Sequence, residues 1–252
     1  MRRIASALLL LCLLAARAPG QSPEQLFQQG NMQYQQGKLA EARQIYEGLL
    51  VRGYVSGELY YNLGNAYYKS GDVARAILSF ERALKLMPND DDLRHNLQLA
   101  NLMITDKIEP TPRLFIWDYW DSIKQSMSLQ GMTWLMYVFF VLTIGSIVVV
   151  VLSRTYRARR LAFTYGAANG LIFLFLLVVL GSRVSDLSAR DRAIVTAGIT
   201  TVKNSPDPKS SDAFVLHGGV KVQITDLLSG WIKIRLADGK VGWMESTAAE
   251  VI

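Results

Sequence analysis

The sequence predicts a multi-domain membrane protein with an all-α helical-repeat region, a two-helix transmembrane hairpin and a C-terminal all-β barrel. Residues near the N-terminus recur with a period of 34, two long segments carry no charge, and short β-rich runs separated by turn signals fill about the last 60 residues. The expected boundaries are a signal peptide at 1–20, two repeats plus a capping helix at 21–106, an interfacial amphipathic segment at 107–131, membrane helices at 132–152 and 161–181, a cytoplasmic basic loop between them at 153–160, a linker at 182–190 and the β domain at 191–252.

The first twenty residues have the features of a secretory signal peptide. A basic start precedes an unbroken apolar run over 4–16, which is too short to span a bilayer. We expect cleavage after Gly20, and the alternatives are cleavage after Ala18 or retention as a membrane anchor. The single cysteine, Cys12, lies in this run, so a processed chain has neither disulfides nor cysteine chemistry.

The period of 34 has the pattern of a helix–turn–helix repeat. Small and aromatic positions recur, and the pairs are Gly30 and Gly64, Ala42 and Ala76, and Tyr46 and Phe80. This pattern is typical of the tetratricopeptide (TPR) unit, whose helices bury their apolar faces by stacking. Two units and one more amphipathic helix at 91–104 predict five helices, with Pro88 ending the fourth. Stacked TPR units form a groove that binds peptides, so the predicted function is protein binding.

Asparagine recurs at positions that line the groove of TPR domains. An amide both donates and accepts hydrogen bonds, so it can pair with the backbone of an extended peptide. The alternative is a structural bond to a neighbouring turn. Both remain open for the sixth position of each unit, and peptide binding is favoured for the ninth. The predicted groove residues are Asn62 and Asn96 at the sixth position, Asn31 and Asn65 at the ninth, and Tyr68 and Lys69 nearby.

Several other functional classes are not supported. Some TPR domains bind a C-terminal carboxylate with lysine and arginine, but Phe27, Asp92 and Asn96 occupy the matching positions. The net charge of +6 comes mostly from the leader and one loop, so a basic nucleic-acid face is not expected. His95 and His217 have no cysteine or paired carboxylate nearby in sequence, and phosphate-loop and metal-ligand spacings are lacking. We expect no enzyme activity, cofactor or metal.

The uncharged segments at 132–152 and 161–181 are long enough to cross a lipid bilayer. Between them lie four arginines: Arg154, Arg157, Arg159 and Arg160. Because positive loops stay on the cytoplasmic side, the repeats and the β domain are expected outside the cytoplasm. The alternative is a helical hairpin buried in a soluble core. Gly166 and Gly170 are expected to contact the first span, or else to form an oligomer interface.

An aromatic segment precedes the first span. Rings at Phe115, Trp117, Tyr119 and Trp120 suit the headgroup region of a membrane, and apolar residues recur at helical spacing from Ile116 to Met127. We expect a short helix in the outer interface. The alternative is a capping helix that packs on the repeats.

The C-terminal region contains alternating β-rich runs. They are expected at 193–197, 200–204, 214–216, 220–226, 231–237 and 241–244, and Asp238-Gly239 is a strong hairpin signal. The string from Gly230 to Trp243 resembles bacterial SH3 (SH3b) domains, which implies an SH3-like, half-open barrel that binds cell-wall peptides or proteins. The same resemblance implies that Trp231 faces a ligand, with a core or rim position as the alternative, and that Trp243 packs.

The domain order as a whole resembles the BatE family of the Bacteroides aerotolerance (Bat) operons. The most specific segments are 62–67, 117–134 and 230–243. This resemblance implies a place beside membrane-bound von Willebrand A-domain proteins and a MoxR-type ATPase, in tolerance of oxygen or envelope stress.

The expected function is a non-catalytic scaffold of the bacterial inner membrane. It would be multi-pass, with TPR and SH3b modules on the periplasmic side that bind membrane or periplasmic proteins. The alternative is an envelope sensor whose SH3b domain binds peptidoglycan and whose hairpin passes the signal inward.

Overall fold

A computed structural model of the chain describes residues 21–252, and the predicted leader at 1–20 lies outside the described residues. The described residues form two compact units. The first contains the residues up to Leu86 and Asp92–Met103, and the second contains Met87–Asp91 and Ile104–Ile252. The second unit thus includes residues 104–106, which the sequence analysis assigns to the repeat domain.

Five consecutive α-helices make up the first unit. They are α1 (Pro23–Gln35), α2 (Leu39–Val51), α3 (Gly57–Lys69), α4 (Val73–Leu86) and α5 (Asp91–Leu102). The starts of α1, α3 and α5 are 34 residues apart, as are those of α2 and α4. The predicted period and the five predicted helices are therefore confirmed, and α4 ends just before Pro88 because a residue that precedes proline is disfavoured in a helix.

Local sequence signals set the helix ends. The Ser22 side chain accepts a hydrogen bond from the Gln25 amide, and Gln25 bonds back to the Ser22 amide, which forms a capping box. The Ser56 side chain caps α3 by accepting a hydrogen bond from the Leu59 amide. Gly37 and Gly71 follow α1 and α3 with φ of 76° and 84°, a left-handed conformation that favours glycine.

The two helices of each repeat approach closely where a glycine faces an aromatic ring. A Cβ atom on Gly30 would lie 2.5 Å from the Tyr46 ring, and one on Gly64 would lie 2.6 Å from the Phe80 ring. Both rings are fully buried. The recurring glycine and aromatic positions therefore form one contact that is repeated in both units.

Two long apolar helices lie in the second unit. They are α7 (Leu129–Leu152) and α8 (Tyr156–Ser188), and both are long and apolar enough to cross a membrane. A Cβ atom on Gly166 would lie 2.9 Å from Ser146 Cβ, and Gly170 faces Thr143 across the same seam. Gly166 and Gly170 therefore contact the first long helix, which is the first of the two alternatives that the sequence left open.

The ends of these helices differ from the predicted spans. The predicted basic loop at 153–160 is largely helical, because α8 begins at Tyr156 and its first turns carry three of the arginines. This segment contains no glycine or proline, and its arginines and alanine favour helices. The predicted linker at 182–190 is helical as far as Ser188.

A short helix, α6 (Phe115–Gln125), packs against the C-terminal part of α8. The buried Arg183 guanidinium donates to the carbonyl oxygens of Lys124 and Met127, which lie at the open end of α6. Lys124 Nζ lies 2.5 Å from Asp186 and 2.8 Å from Asp121. The Trp120 ring meets Phe175 edge-on, with centroids 6.3 Å apart.

The charges around Lys124 stabilise each other. The hydrogen bond from Lys124 holds the pKa of Asp121 below its usual range. Partial burial by itself would lower the pKa of Lys124, but hydrogen bonds to Asp121 and Asp186 outweigh that effect and raise it. Together with Arg183, these groups clamp α6 to α8.

The C-terminal region is a seven-stranded antiparallel sheet in the order β3-β2-β6-β5-β4-β1-β7. Its strands are β1 (Arg192–Val195), β2 (Ile199–Lys203), β3 (Asp212–His217), β4 (Lys221–Leu228), β5 (Trp231–Arg235), β6 (Val241–Glu245) and β7 (Ala249–Val251), with a 3₁₀ turn at Ser246–Ala248. The six predicted runs are all strands, and β7 was missed.

The sheet is open, and the predicted half-open, SH3-like barrel is not confirmed. β3 and β7 are its two edges, and β7 has only three residues. The β4–β5 hairpin turns through Ser229 and Gly230, both at positive φ. The core on one side of the sheet includes Val202, Val222, Ile232, Ile234 and Met244.

The glycine–aromatic contact predicts that alanine substitutions at two helical glycines change the stability of the repeats in opposite directions. Gly64→Ala forces a methyl group into the Phe80 ring and should lower the unfolding free energy of the repeats by about 1–3 kcal/mol. Gly48→Ala, in α2, meets open space and should raise it by roughly 0.5–1 kcal/mol. Hydrogen exchange of amides in α1–α5 measures both changes. Equal effects of the two substitutions would refute the close contact.

Candidate functional site

One face of α3 carries a line of polar residues at helical spacing. Glu58, Asn62, Asn65 and Lys69 are separated by four, three and four residues, so they lie along one stripe. The same positions in α1 and α5 hold Asn31 and Asn96. All four asparagines are half-buried.

The asparagines form hydrogen bonds between successive repeats. Asn62 Nδ2 donates to Asn31 Oδ1 at 3.0 Å, and Asn96 Nδ2 donates to Asn65 Oδ1 at 3.0 Å. Each pair is 31 residues apart, which is one repeat less three residues. The sixth-position asparagine therefore has a structural role in both pairs: it orients the ninth-position asparagine of the preceding repeat.

A tyrosine hydroxyl forms a further hydrogen bond with each asparagine pair, as the donor in the first pair and as the acceptor in the second. Tyr46 donates its hydroxyl proton to Asn31 Oδ1 at 2.8 Å, and the Tyr61 hydroxyl accepts from Asn96 Nδ2 at 3.0 Å. Phe80 replaces Tyr46 in the second repeat, so Tyr61 supplies the hydroxyl there. Burial, with a smaller contribution from Tyr34, raises the pKa of Tyr46 to about 12, so this hydroxyl stays a donor at neutral pH.

These bonds leave one donor group on each ninth-position asparagine. The Oδ1 atoms of Asn31 and Asn65 accept hydrogen bonds, whereas their Nδ2 groups donate to no other residue within 21–252. A bonded oxygen fixes the orientation of the amide. Asn31 and Asn65 therefore present two oriented N–H donors from successive repeats.

An aromatic and cationic pair lies at the other end of the stripe. Lys69 Nζ is 4.4 Å from the centroid of the Tyr34 ring, a cation–π contact between α3 and α1. Tyr68, the equivalent of Tyr34 one repeat later, is half-buried, and Lys69 is exposed. Sequence reasoning named Tyr68 and Lys69 but missed Tyr34 and Tyr61. The repetition of Tyr34 as Tyr68 was a signal for the first of these.

A second polar site lies elsewhere on the repeats. The Tyr67 ring lies under the guanidinium groups of Arg43 and Arg75, at 5.3 and 5.9 Å from its centroid. Its hydroxyl donates to Glu47, and burial together with this bond raises the pKa of Tyr67. These groups mostly satisfy each other, so the site holds α2, α3 and α4 together.

Trp231 lies at the start of β5, half-buried, opposite Glu245 of β6. Trp231, Lys233 and Trp243 alternate with the core residues of β5 and β6, so all three lie on the side of the sheet away from the core. Lys233 Nζ is 5.8 Å from the centroid of the Trp243 ring. The predicted packing role of Trp243 is thus partial, because its ring is half-buried under a lysine.

The described residues, 21–252, contain no group of three or more His, Cys, Asp or Glu that could hold a metal ion.

The asparagine pairs predict a measurable coupling energy. In a double-mutant cycle, Asn31→Ala and Asn62→Ala should couple by about 0.5–1.5 kcal/mol, because either substitution alone breaks the shared bond. Asn65→Ala and Asn96→Ala should behave in the same way. Asn31→Ala and Asn96→Ala share no bond and should be additive. Hydrogen exchange of α1–α5 gives the energies, and additivity in all three pairs would contradict the bonding.

Comparison with known families agrees with this geometry. Two tetratricopeptide repeat families match the chain, one over residues 57–90 and one over residues 26–52. No curated protein matches the chain. The matches indicate a protein-interaction module and no enzyme family. The N-terminal region of this chain therefore consists of tetratricopeptide repeats.

Proposed function

We propose that this protein is a non-catalytic membrane scaffold whose TPR face binds an extended segment of another protein. The observation that carries the proposal is the pair of oriented amide donors on Asn31 and Asn65. An extended peptide offers backbone carbonyl oxygens at regular intervals, and these are the acceptors that two such donors suit.

The charges on the stripe narrow the choice of partner segment. Asp92 occupies a position where carboxylate-binding TPR domains need a cation, and Glu58 is its equivalent one repeat earlier, in α3. A free C-terminal carboxylate would be repelled there, so an internal segment is favoured. Tyr68 and the Lys69–Tyr34 pair supply a flat apolar and cationic end for its side chains.

The two long helices favour a membrane location. At about 1.5 Å per residue, the 24 residues of α7 extend about 36 Å, enough for a hydrocarbon core of about 30 Å. Their outward faces are exposed and apolar, which is expected of lipid contact. The arginines at the start of α8 favour the cytoplasmic side for that end. Both the repeats and the sheet would then lie outside the cytoplasm.

The clamped helix α6 suits the outer interface of the bilayer. Phe115, Ile116, Trp117 and Tyr119 are all more than half exposed, while Trp120 packs on α8. The apolar face was expected to include Trp120, but that ring belongs to the clamp. The exposed rings would occupy the headgroup region beside α8.

The resemblance to BatE proteins suggests the setting. Membrane-bound von Willebrand A-domain proteins of a Bat-type complex are the proposed partners of the TPR face. The sheet face with Trp231, Lys233 and Trp243 favours a second ligand, either a protein or peptidoglycan, since aromatic rings beside a cation suit sugars and carboxylates. If the ligand is peptidoglycan, the alternative function is that of an envelope sensor.

Membrane orientation predicts a labelling pattern. In a Cys12→Ser background, Lys69→Cys and Lys233→Cys should react with an impermeant maleimide in spheroplasts, because both positions would lie outside the cytoplasm. Arg157→Cys should react only after permeabilisation. Labelling of Lys69→Cys or Lys233→Cys only after permeabilisation would overturn the orientation.

If the TPR face binds a partner protein, a variant that loses its two free donors but keeps the bonds within the repeats should lose partner binding. Asn31→Asp with Asn65→Asp keeps the Oδ acceptors for Tyr46, Asn62 and Asn96 but removes both free donors. Co-purification of crosslinked membrane proteins, quantified by mass spectrometry, should fall about tenfold, since losing two hydrogen bonds costs about 1–3 kcal/mol.

The matched control makes the same change of charge away from the stripe. Gln44→Glu with Gln98→Glu alters two exposed amides, and co-purification should be unchanged. If co-purification fell equally in both double variants, the loss would be explained by the added negative charge and not by the two missing donors. The sensor would be favoured over the scaffold by two results together. The chain would be retained on purified peptidoglycan, with retention lost on Trp231→Ala, and no protein partner would co-purify in any sample.

A further inference from the structure

The chain between α5 and α6 lies extended against the C-terminal sheet. Ile104, Asp106 and Ile108 are partly buried, and the residues that alternate with them are exposed. This period of two is how an extended strand presents its side chains. We call residues 104–111 the strap.

A carboxylate forms the first anchor of the strap. Asp106 Oδ2 accepts a hydrogen bond from the backbone N–H of His217 at 2.6 Å, and Oδ1 lies 3.0 Å from His217 Nδ1. His217 ends β3, an edge strand of the sheet. The sequence places no carboxylate beside His217, and the contact with Asp106 could not be predicted because the two residues are 111 positions apart along the chain.

An aliphatic side chain and a backbone group form the other two anchors. Ile108 packs against the sheet core and lines one cavity together with Phe214, Leu216 and Leu236. The N–H of Thr111 donates to the carbonyl oxygen of Ala237 at 3.0 Å, beyond the end of β5. The strap therefore runs from the β3 edge to the β5–β6 turn.

These anchors are the ones by which a sheet domain holds an extended peptide. Edge backbone groups bind the peptide, and pockets take its alternate side chains. Here the Asp106 carboxylate also accepts a hydrogen bond from the edge N–H of His217. The groove residues His217, Phe214, Leu216, Leu236 and Ala237 all belong to the sheet domain. A pocket of about 350 Å³ remains open beside the strap and is lined also by Val215 and Lys240.

We propose that this groove is a binding site for an extended peptide containing Asp-x-Ile, and that residues 104–111 of the same chain fill it in cis. The unpaired edge of β3 needs an occupant, because exposed edge groups attract other strands. The strap suits this role, since Pro110 restricts its backbone and lowers the entropy lost on binding. The proposal does not rest on the TPR partner or on the membrane orientation.

The test uses the full chain in detergent with its own strap weakened. Asp106→Ala with Ile108→Ala removes two anchors and leaves every groove residue in place. The probe is a fluorescent peptide of residues 104–113, and the control peptide carries Asn for Asp106 and Ser for Ile108. The control host is Glu109→Ala, an exposed strap position.

If the groove accepts peptides, the host with the weakened strap should bind the probe more tightly than the unchanged chain does. The weakened host should bind the probe with a Kd on the order of 1 mM or below, because a short tether supplies an effective concentration in the mM range. The unchanged chain and Glu109→Ala should bind at least tenfold more weakly, since their grooves are occupied. The control peptide should bind neither host.

Hydrogen exchange separates a binding site from a part of the core. In the weakened host the His217 amide should exchange faster, and saturating probe should restore its protection. If the whole sheet loses protection and the probe does not restore it, the strap is an integral core element and the proposal fails. Absence of probe binding to a folded weakened host would also overturn it. A dimer of the unchanged chain that exchanges straps would support it.

Discussion

The close approach of two helices at a glycine determines much of the first unit. Tyr46 packs its ring on Gly30 and extends its hydroxyl to Asn31, so one side chain joins the packing within a repeat to the polar stripe between repeats. A side chain at Gly30 would push the tyrosine away and move its hydroxyl from the amide. The orientation of the proposed binding face therefore depends on the absence of a side chain at Gly30.

Polar groups at element ends stabilise the second unit in a similar way. Arg183 satisfies the carbonyl oxygens at the end of α6, and Asp106 satisfies an edge N–H of β3. Helix ends and sheet edges carry backbone groups without partners in their own element. Here side chains distant in sequence supply those partners, which explains why α6 and the strap lie where they do.

These anchors also bear on the proposed scaffold. A helix held by a buried arginine and a lysine between two carboxylates cannot reorient freely, so the exposed rings of α6 keep one position relative to α8. A strap that joins the sheet to the start of α6 limits how far the sheet can move from the long helices. The proposed ligand face of the sheet would thus be limited in its movement relative to the long helices.

Much of this architecture follows from local pattern. Each of these patterns can be recognised within a short stretch of chain: a 34-residue period, an uncharged run of sufficient length, or an alternation of apolar and polar residues. The sequence therefore determined the helices, both long apolar segments and six of the strands. It also placed four asparagines and two neighbouring residues on one face. The predicted start of α8 was wrong, because the arginines were interpreted as a loop between two spans although arginine favours helices.

Only the tertiary structure decided which amide atoms remain available, where the sheet ends and what covers its edge. Asn31 and Asn62 share a hydrogen bond because stacking brings together residues 31 apart, and His217 meets Asp106 across 111 residues. The missed strand β7 is short and follows a 3₁₀ turn, so it carries too little alternation to be recognised. Such pairings depend on distances between elements, and these arise only when the whole unit packs.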